Sequence, residues 1–329
     1  MRIMKHPFPF LVLTSYLLLH FSACTKQIEF DGDETDPIPV MVSYVEADSA
    51  FHVKMSLSRF FLSGGNFKYV NDASFRAEVN GAPSGMTFQR VGEGYYLSDM
   101  SLRAGDTMTL HVSVPGHGDV TAGCRMPEVP VVTDVMATPK YSIDSEYWDD
   151  PYYRYPSYMY FDVDFSFVLH EPAARGNYYM LKAFVVDSAT GQREPLVLQI
   201  DDDVIYDVDV SGEVIDLESG TDYSYGWQVL FTDERIGGQR HTIKGSIQSV
   251  SLGSTATIEL QVCGVSRDTY LYMATLRAQQ NSGDGITFIE EPVQIHTNVE
   301  GGIGILGAVS SKHEELVTIS VQPFDYDEK

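Results

Sequence analysis

Apolar and polar side chains alternate along most of this chain. Met108, Leu110, Val112 and Val114 fall on one side of an extended run, and after a turn at Pro115-Gly116-His117-Gly118 so do Val120, Ala122, Cys124 and Met126. A period of two puts one set of side chains in a core and the other in solvent, the mark of a half-buried strand. The same reading predicts strands over 40–46, 52–58, 73–79, 86–91, 95–98, 107–114 and 120–126. Asn80-Gly81 offers the positive φ values of a tight hairpin turn, and glycine-bearing turns at 64–65, 92–94 and 104–106 keep the strands short. Such spacing suits an immunoglobulin-like or transthyretin-like β-sandwich over residues 38–127. Pro127 and Pro130 cannot continue a paired strand, so the module is expected to end there.

A second, larger β-rich module is expected over residues 131–323. Met159, Phe161, Val163, Phe165 and Phe167 alternate with polar neighbours, and 178–186 is a near-continuous apolar run suited to a central strand. Further strands are predicted at 196–200, 227–231, 241–249, 255–262 and 316–321, and 141–156 reads as a long loop. One helix interrupts them. Ser266 can cap it, Asp268 suits its positive end, and Tyr270, Leu271, Met273, Ala274 and Leu276 give it an apolar side. The expected fold class is therefore mainly β: two β-sandwich-like modules in tandem, the second larger and carrying one α-helix near residues 267–280.

The N-terminus breaks this pattern. A basic start with Arg2 and Lys5, an apolar run from Pro7 to Phe21 and the small residues Ser22-Ala23 before Cys24 form the three parts of a secretory signal. Phe21-Ser22-Ala23-Cys24 resembles the bacterial lipobox, with Phe where Leu is usual, so Cys24 is expected to be acylated and to become the mature N-terminus. Residues 1–23 are then a removed signal peptide. The acidic stretch 24–37 reads as a flexible tether. No later segment reaches the roughly 18 apolar residues of a spanning helix.

Removing residues 1–23, which carry Arg2, Lys5 and no acid, takes the formal charge from −24 to −26. A surface so acidic disfavours nucleic acid and anionic leaflets alike. Cys124 and Cys263, assigned to different modules, are read as two unpaired thiols in preference to a cross-domain bridge.

Several strings suggest chemistry and fail on context. Gly302-Ile303-Gly304-Ile305-Leu306-Gly307 matches a dinucleotide fingerprint, but such a site needs a following helix and then a second parallel strand bearing an acid, and the 22 residues that remain hold only Ser310-Ser311 and the strand-like 316–321. Its bland reading is glycines that let a strand pass close to another backbone. Asp31-Gly32-Asp33-Glu34 has Asp36 and Val42 where an EF-hand loop wants glycine and glutamate, and Asp201–Asp203 suits solvated turn acids better than calcium. The seven histidines beyond the signal show no zinc-ligand spacing. No GxSxG elbow occurs. No catalytic residue, metal site or cofactor is therefore expected, and a hydrolase is the least favoured class.

A denser candidate is the stretch 147–156, where Tyr147, Trp148, Tyr152, Tyr153 and Tyr155 crowd one loop. Rings with polar tips suit stacking on a sugar or docking a protein, or they fold back over a sandwich edge.

Three stretches carry a family likeness. They are 263–272 with its Ser266-capped, tyrosine-rich helix, Glu291-Pro292-Val293, and Asn298-Val299-Glu300-Gly301-Gly302-Ile303-Gly304-Ile305-Leu306-Gly307. Together with Glu171-Pro172, Asn177-Tyr178-Tyr179, Gly94-Tyr95-Tyr96 and Ala104-Gly105-Asp106, they resemble the domain-of-unknown-function 4249 family, with Leu306 where phenylalanine is usual. The resemblance implies a Bacteroidota outer-membrane lipoprotein frequently encoded beside a TonB-dependent transporter, with Asn298, Gly301, Gly302, Gly304 and Gly307 as a structural signature. The expected function is thus a non-catalytic accessory or ligand-binding partner of such a transporter, with palmitate or a similar acyl group on Cys24. The small-molecule or glycan ligand is unspecified, and a structural or adhesive surface protein is the alternative. Lys26 and Gln27 ahead of Glu29 and Asp31 leave the membrane face open, with the cell surface preferred.

Overall fold

The computed structural model describes residues 36–60, 66–143, 159–201, 225–251, 255–281 and 293–320. Cys24, the signal, residues 25–35 of the tether and the aromatic stretch 147–156 lie outside the described residues.

Strand β1 (Pro39–Glu46) buries Met41, Ser43 and Val45, and β2 (His52–Leu57) pairs antiparallel to it and buries Val53, Met55 and Leu57. Next come β3 (Ser74–Val79), β4 (Ala82–Pro83), β5 (Phe88–Gly92), β6 (Tyr95–Ser98), β7 (Thr107–Val114) and β8 (Gly118–Arg125). Asn80 and Gly81, at φ 53° and 75°, turn the chain between β3 and β4. The second half supplies β9 (Val131–Ile143), β10 (Met159–His170), β11 (Tyr178–Asp187), β12 (Arg193–Leu196) and β13 (Leu198–Ile200). It continues with β14 (Tyr225–Gly226), β15 (Val229–Thr232), β16 (Arg240–Ser251), β17 (Ala256–Val265), α1 (Arg267–Asn281), β18 (Val299–Glu300) and β19 (Ile303–Ile319).

Period-two burial stacks these strands into three sheets. A nine-stranded sheet runs β12-β11-β17-β19-β1-β2-β6-β5, with β15 also on β11, and two five-stranded sheets run β18-β8-β7-β3-β4 and β14-β13-β16-β10-β9. Met41, Val53 and Met55 of the large sheet close a first core with Leu110, Val112 and Val120. Leu181, Leu260 and Val262 close a second with Phe165, Phe167 and Ile243. The fold is mainly β, with sandwich-like modules and one helix. That helix covers the other face of the large sheet, laying Tyr270, Leu271 and Ala274 on Met180, Cys263 and Val309.

One strand joins the two cores. From Val40↔Ile303 to Glu46↔Val309, β19 pairs parallel with β1, and from Val265↔Val309 to Ala256↔Ile319 it pairs antiparallel with β17. Val299, Leu306 and Ala308 consequently sit in the first core, although the sequence reading gave that module residues 38–127. Residues 37–329 form one compact unit. The proline-bracketed link crosses the seam, where Ser310 Oγ donates to Pro127 O at 2.7 Å.

Asn298 and the glycines after it build the start of β19. The Asn298 side chain accepts from Leu306 N at 2.9 Å and donates to Leu306 O and Gly123 O, both at 3.0 Å, acting as a strand-like partner where no backbone reaches. Gly304 lies at φ 120°, and a Cβ there would overlap the Met41 carbonyl. A Cβ on Gly302 would stand 2.6 Å from Pro39 O, one on Gly301 would meet Asp119 O, and one on Gly307 would stand 2.6 Å from Thr269 Oγ1.

Local differences from the sequence reading have physical causes. Strand β9 was not expected, because Asp134 at φ 53° and a register shift opposite Ser166 and Val168 break its alternation, leaving Val132, Val135 and Ala137 facing the core at mixed spacing. The run 196–200 is two strands, β12 and β13, which pair in different sheets. Trp227, expected to begin a strand, precedes β15 and is 64% exposed.

Replacing Gly304 with alanine should cost about 3 kcal/mol or more, since backbone must move and the φ is strained. Gly116→Ala, also at positive φ (79°) but with no atom within 4 Å of the new Cβ, should cost only about 1–2 kcal/mol. Urea unfolding of both variants checks the contrast.

Candidate functional site

Helix α1 starts where β19 fixes it. Ser266 Oγ accepts from Thr269 N at 3.2 Å as the cap, while Ala308 N donates to Thr269 Oγ1 at 2.9 Å and Ser266 N donates to Ala308 O at 2.9 Å. Gly307 leaves room for that threonine. Further on, His296 Nε2 pairs with Asp268 Oδ1 at 2.8 Å and His296 N donates to Thr275 Oγ1 at 2.9 Å, holding residues 296–298 along the helix.

From this anchor the helix crosses the large sheet and leaves a groove of about 590 Å³. Met273, Leu276, Arg277 and Gln280, at helical spacing of three and four, form its overhanging wall. The floor comes from both halves of the sheet, with Tyr44 and Glu46 of β1, Met180 and Lys182 of β11, Gln261 of β17 and Val309 of β19; Trp227, Gln228 and Leu230 close the far side. Tyr44 meets Tyr272 of the helix edge to face, with centroids 6.4 Å apart, and burial first, then Tyr272, pushes the Tyr44 phenol up so that it stays neutral.

The charged groups of the groove are unequal. Glu46 Oε1 accepts from Ser311 Oγ at 2.9 Å and from Gln261 Nε2 at 3.4 Å. Arg277 Nη1 donates to Gln228 O at 3.1 Å, and its guanidinium lies against Gly226. Lys182 is half-buried and makes no ion pair among the described residues. A second concavity, lined by Arg59, Asn66, Phe67, Tyr69, Asn71 and Glu93, encloses about 660 Å³. Of its lining residues, Arg59 already faces a ring, 5.0 Å from the Phe67 centroid, and Tyr69 is faced by Lys54 at 5.8 Å.

Elsewhere the reactive groups are buried and engaged. Cys124 and Cys263 are free thiols in separate clusters. Burial, with Asp268 adding to it, pushes the Cys124 thiol up to about 12, and burial raises Cys263 as well, so neither is a ready thiolate. Among the described residues no three His, Cys, Asp or Glu side chains converge on a metal position. Asp201, the one described member of its acidic run, donates its backbone N–H to Lys244 O at 2.9 Å.

Glu171 and Asp233, 7% and 3% exposed, form a buried carboxyl pair. Asn177 Nδ2 donates to Glu171 Oε1 at 2.8 Å and to Asp233 Oδ2 at 2.9 Å, and Gly176 N donates to Asp233 Oδ1 at 3.1 Å. Burial raises the Glu171 carboxyl above its ordinary range, against the lowering effect of Tyr179 and Asn177, and the Asp233 charge raises it further. This knot ties the 171–177 loop to the 233–239 turn.

The structure brings Asn298 and the signature glycines together at the seam beside α1, not inside the groove. Trp227, Lys182 and Arg277 were missed by the sequence reading. Only the helical spacing of 273, 276, 277 and 280 signalled a surface there, because its opposite wall comes from strands far apart in the chain.

A family model described as Domain of unknown function (DUF4249) matches residues 25–315, and the chain belongs to that family. No curated protein matches the sequence. Among solved structures, the collagen binding domain of Erysipelothrix rhusiopathiae surface protein RspB is similar at 7% identity, over 84% of this chain and 96% of that one, with a TM-score of 0.18. A likeness so slight carries no argument.

The raised Glu171 carboxyl has a signed consequence. Folding binds its proton more tightly than the unfolded chain does, so its contribution is full below the ordinary value of 4.5 and is lost as pH rises through the folded value. Glu171→Gln, which mimics the protonated form, should gain stability relative to the wild type as pH climbs from about 4.5 to 7. Thermal melts of both proteins across that range measure the difference, and a difference independent of pH would contradict the assignment.

Proposed function

We propose that this family member is a lipid-anchored, non-catalytic binding protein of the outer membrane that works as an accessory to a TonB-dependent nutrient transporter, with the helix–sheet groove as its ligand site. The groove carries this reading: it is a concavity of about 590 Å³ that mixes aromatic, methionine, amide and cationic side chains on one rigid sheet, the makeup of a ligand pocket. Attachment rests on Cys24. Among the described residues no helix is long and apolar enough to cross a membrane, and the acidic mature chain would be repelled by an anionic leaflet. Acyl chains on the cysteine supply a stable anchor when more than one is present.

Transporter association draws on the family resemblance and on the tether, which would let the folded unit reach a neighbouring barrel. A protein on the outward face would meet ligand before the transporter does.

In cells fed labelled palmitate, the wild type should take up label and Cys24→Ser should not. Native protein purified from solubilised membranes should bring a β-barrel transporter with it. Its repeated absence from the acylated protein would sink the accessory role, and protection from protease on intact cells would put the protein on the periplasmic face and end the capture reading.

A further inference from the structure

We infer that the groove takes an organic anion with an apolar or aromatic body, its carboxylate or sulfonate meeting Lys182 and Arg277 and its body lying against Trp227 and Met273. This rests on the groove being the ligand site and names the class of ligand.

The argument starts from charge. The mature chain carries 46 acidic and only 20 basic side chains, yet among the described residues the groove is lined by two cations and one carboxylate. That carboxylate, Glu46, already accepts hydrogen bonds from Ser311 and Gln261. Lys182, half-buried in the same groove, makes no ion pair among the described residues, so its ammonium is available to a ligand anion for a charge-assisted hydrogen bond. Arg277 is held at the rim by Gln228 O and by its packing on Gly226, so its guanidinium is pre-positioned and binding need not order it.

The remaining surface fixes the body of the ligand. Trp227 leaves 64% of its surface open, and Met273 and Leu276 continue the apolar wall on the helix. A large exposed indole beside a flexible thioether suits a ring or a compact hydrocarbon. A strongly hydrated inorganic anion would leave this wall unused, and a cation would face Lys182 and Arg277.

The test uses the intact acylated protein in non-ionic detergent, titrated calorimetrically with 2-naphthoate and with its uncharged counterpart 2-naphthamide against micelle blanks. Naphthoate should bind one per chain and about tenfold or more tighter than the amide. Lys182→Met and Arg277→Gln should each weaken naphthoate about tenfold and leave the amide unchanged, Lys182→Arg should keep the preference, and Trp227→Ala should weaken both. Melting curves matching the wild type establish that the variants are folded. Equal binding of acid and amide, both lost in Trp227→Ala, overturns the anionic class and leaves the groove as a binding site. Naphthoate binding indifferent to Lys182 and Arg277 overturns the assignment of the anion to these residues. No binding of either compound overturns both the class and the groove.

Discussion

The fold depends on one strand that joins the two halves of a single large sheet. Over its first seven residues β19 pairs parallel with β1, and over the rest it pairs antiparallel with β17, so the hydrogen-bonded path through the nine-stranded sheet passes from one core to the other along this strand. A parallel neighbour so far away in sequence must be brought in by the whole intervening chain. The approach is tight enough to exclude side chains, which is why glycine occupies 302 and 304, and Asn298 supplies by its amide the hydrogen bonds that a missing strand would have made to Leu306. The glycine string is therefore a device for closing a sheet.

The same closure builds the groove. Thr269 and Ser266 bond to Ala308 directly over Gly307, setting where the helix starts, and the helical repeat then places Met273, Leu276, Arg277 and Gln280 over the sheet. Because β1 and β17 flank β19, the floor combines Tyr44 and Glu46 with Gln261 from the other half. Rigidity of the site follows from sheet packing on both faces, with sandwich cores on one side and the Tyr270–Leu271–Ala274 cluster on the other. The buried Glu171–Asn177–Asp233 knot adds a further tie, holding the loop before β11 to the turn after β15.

Much of this was legible in the sequence where local pattern suffices. Tyr95–Ser98 and Thr107–Val114 agree at both ends, and the Ser266-capped helix extends one residue beyond its expected end. Strand β9 escaped because its bulge at Asp134 shifts the alternation, whereas the glycine string was read as a strand passing close to another backbone, without the identity of that backbone, β1, or the continuity of the strand to Ile319. The groove escaped for a different reason. Lys182, Gln261 and Glu46 become neighbours only through non-local pairing, and nothing in the spacing of three residues spread over more than 200 positions announces it.

The central claim is that β19 makes the two cores fold as one unit. Hydrogen exchange of the intact protein across a urea series, read by mass spectrometry, tests it directly. Peptides from β1–β2, in the first core, and from β10–β16, in the second, should lose protection with a common midpoint and slope. Two separate midpoints, with one core exchanging while the other stays protected, would contradict the claim.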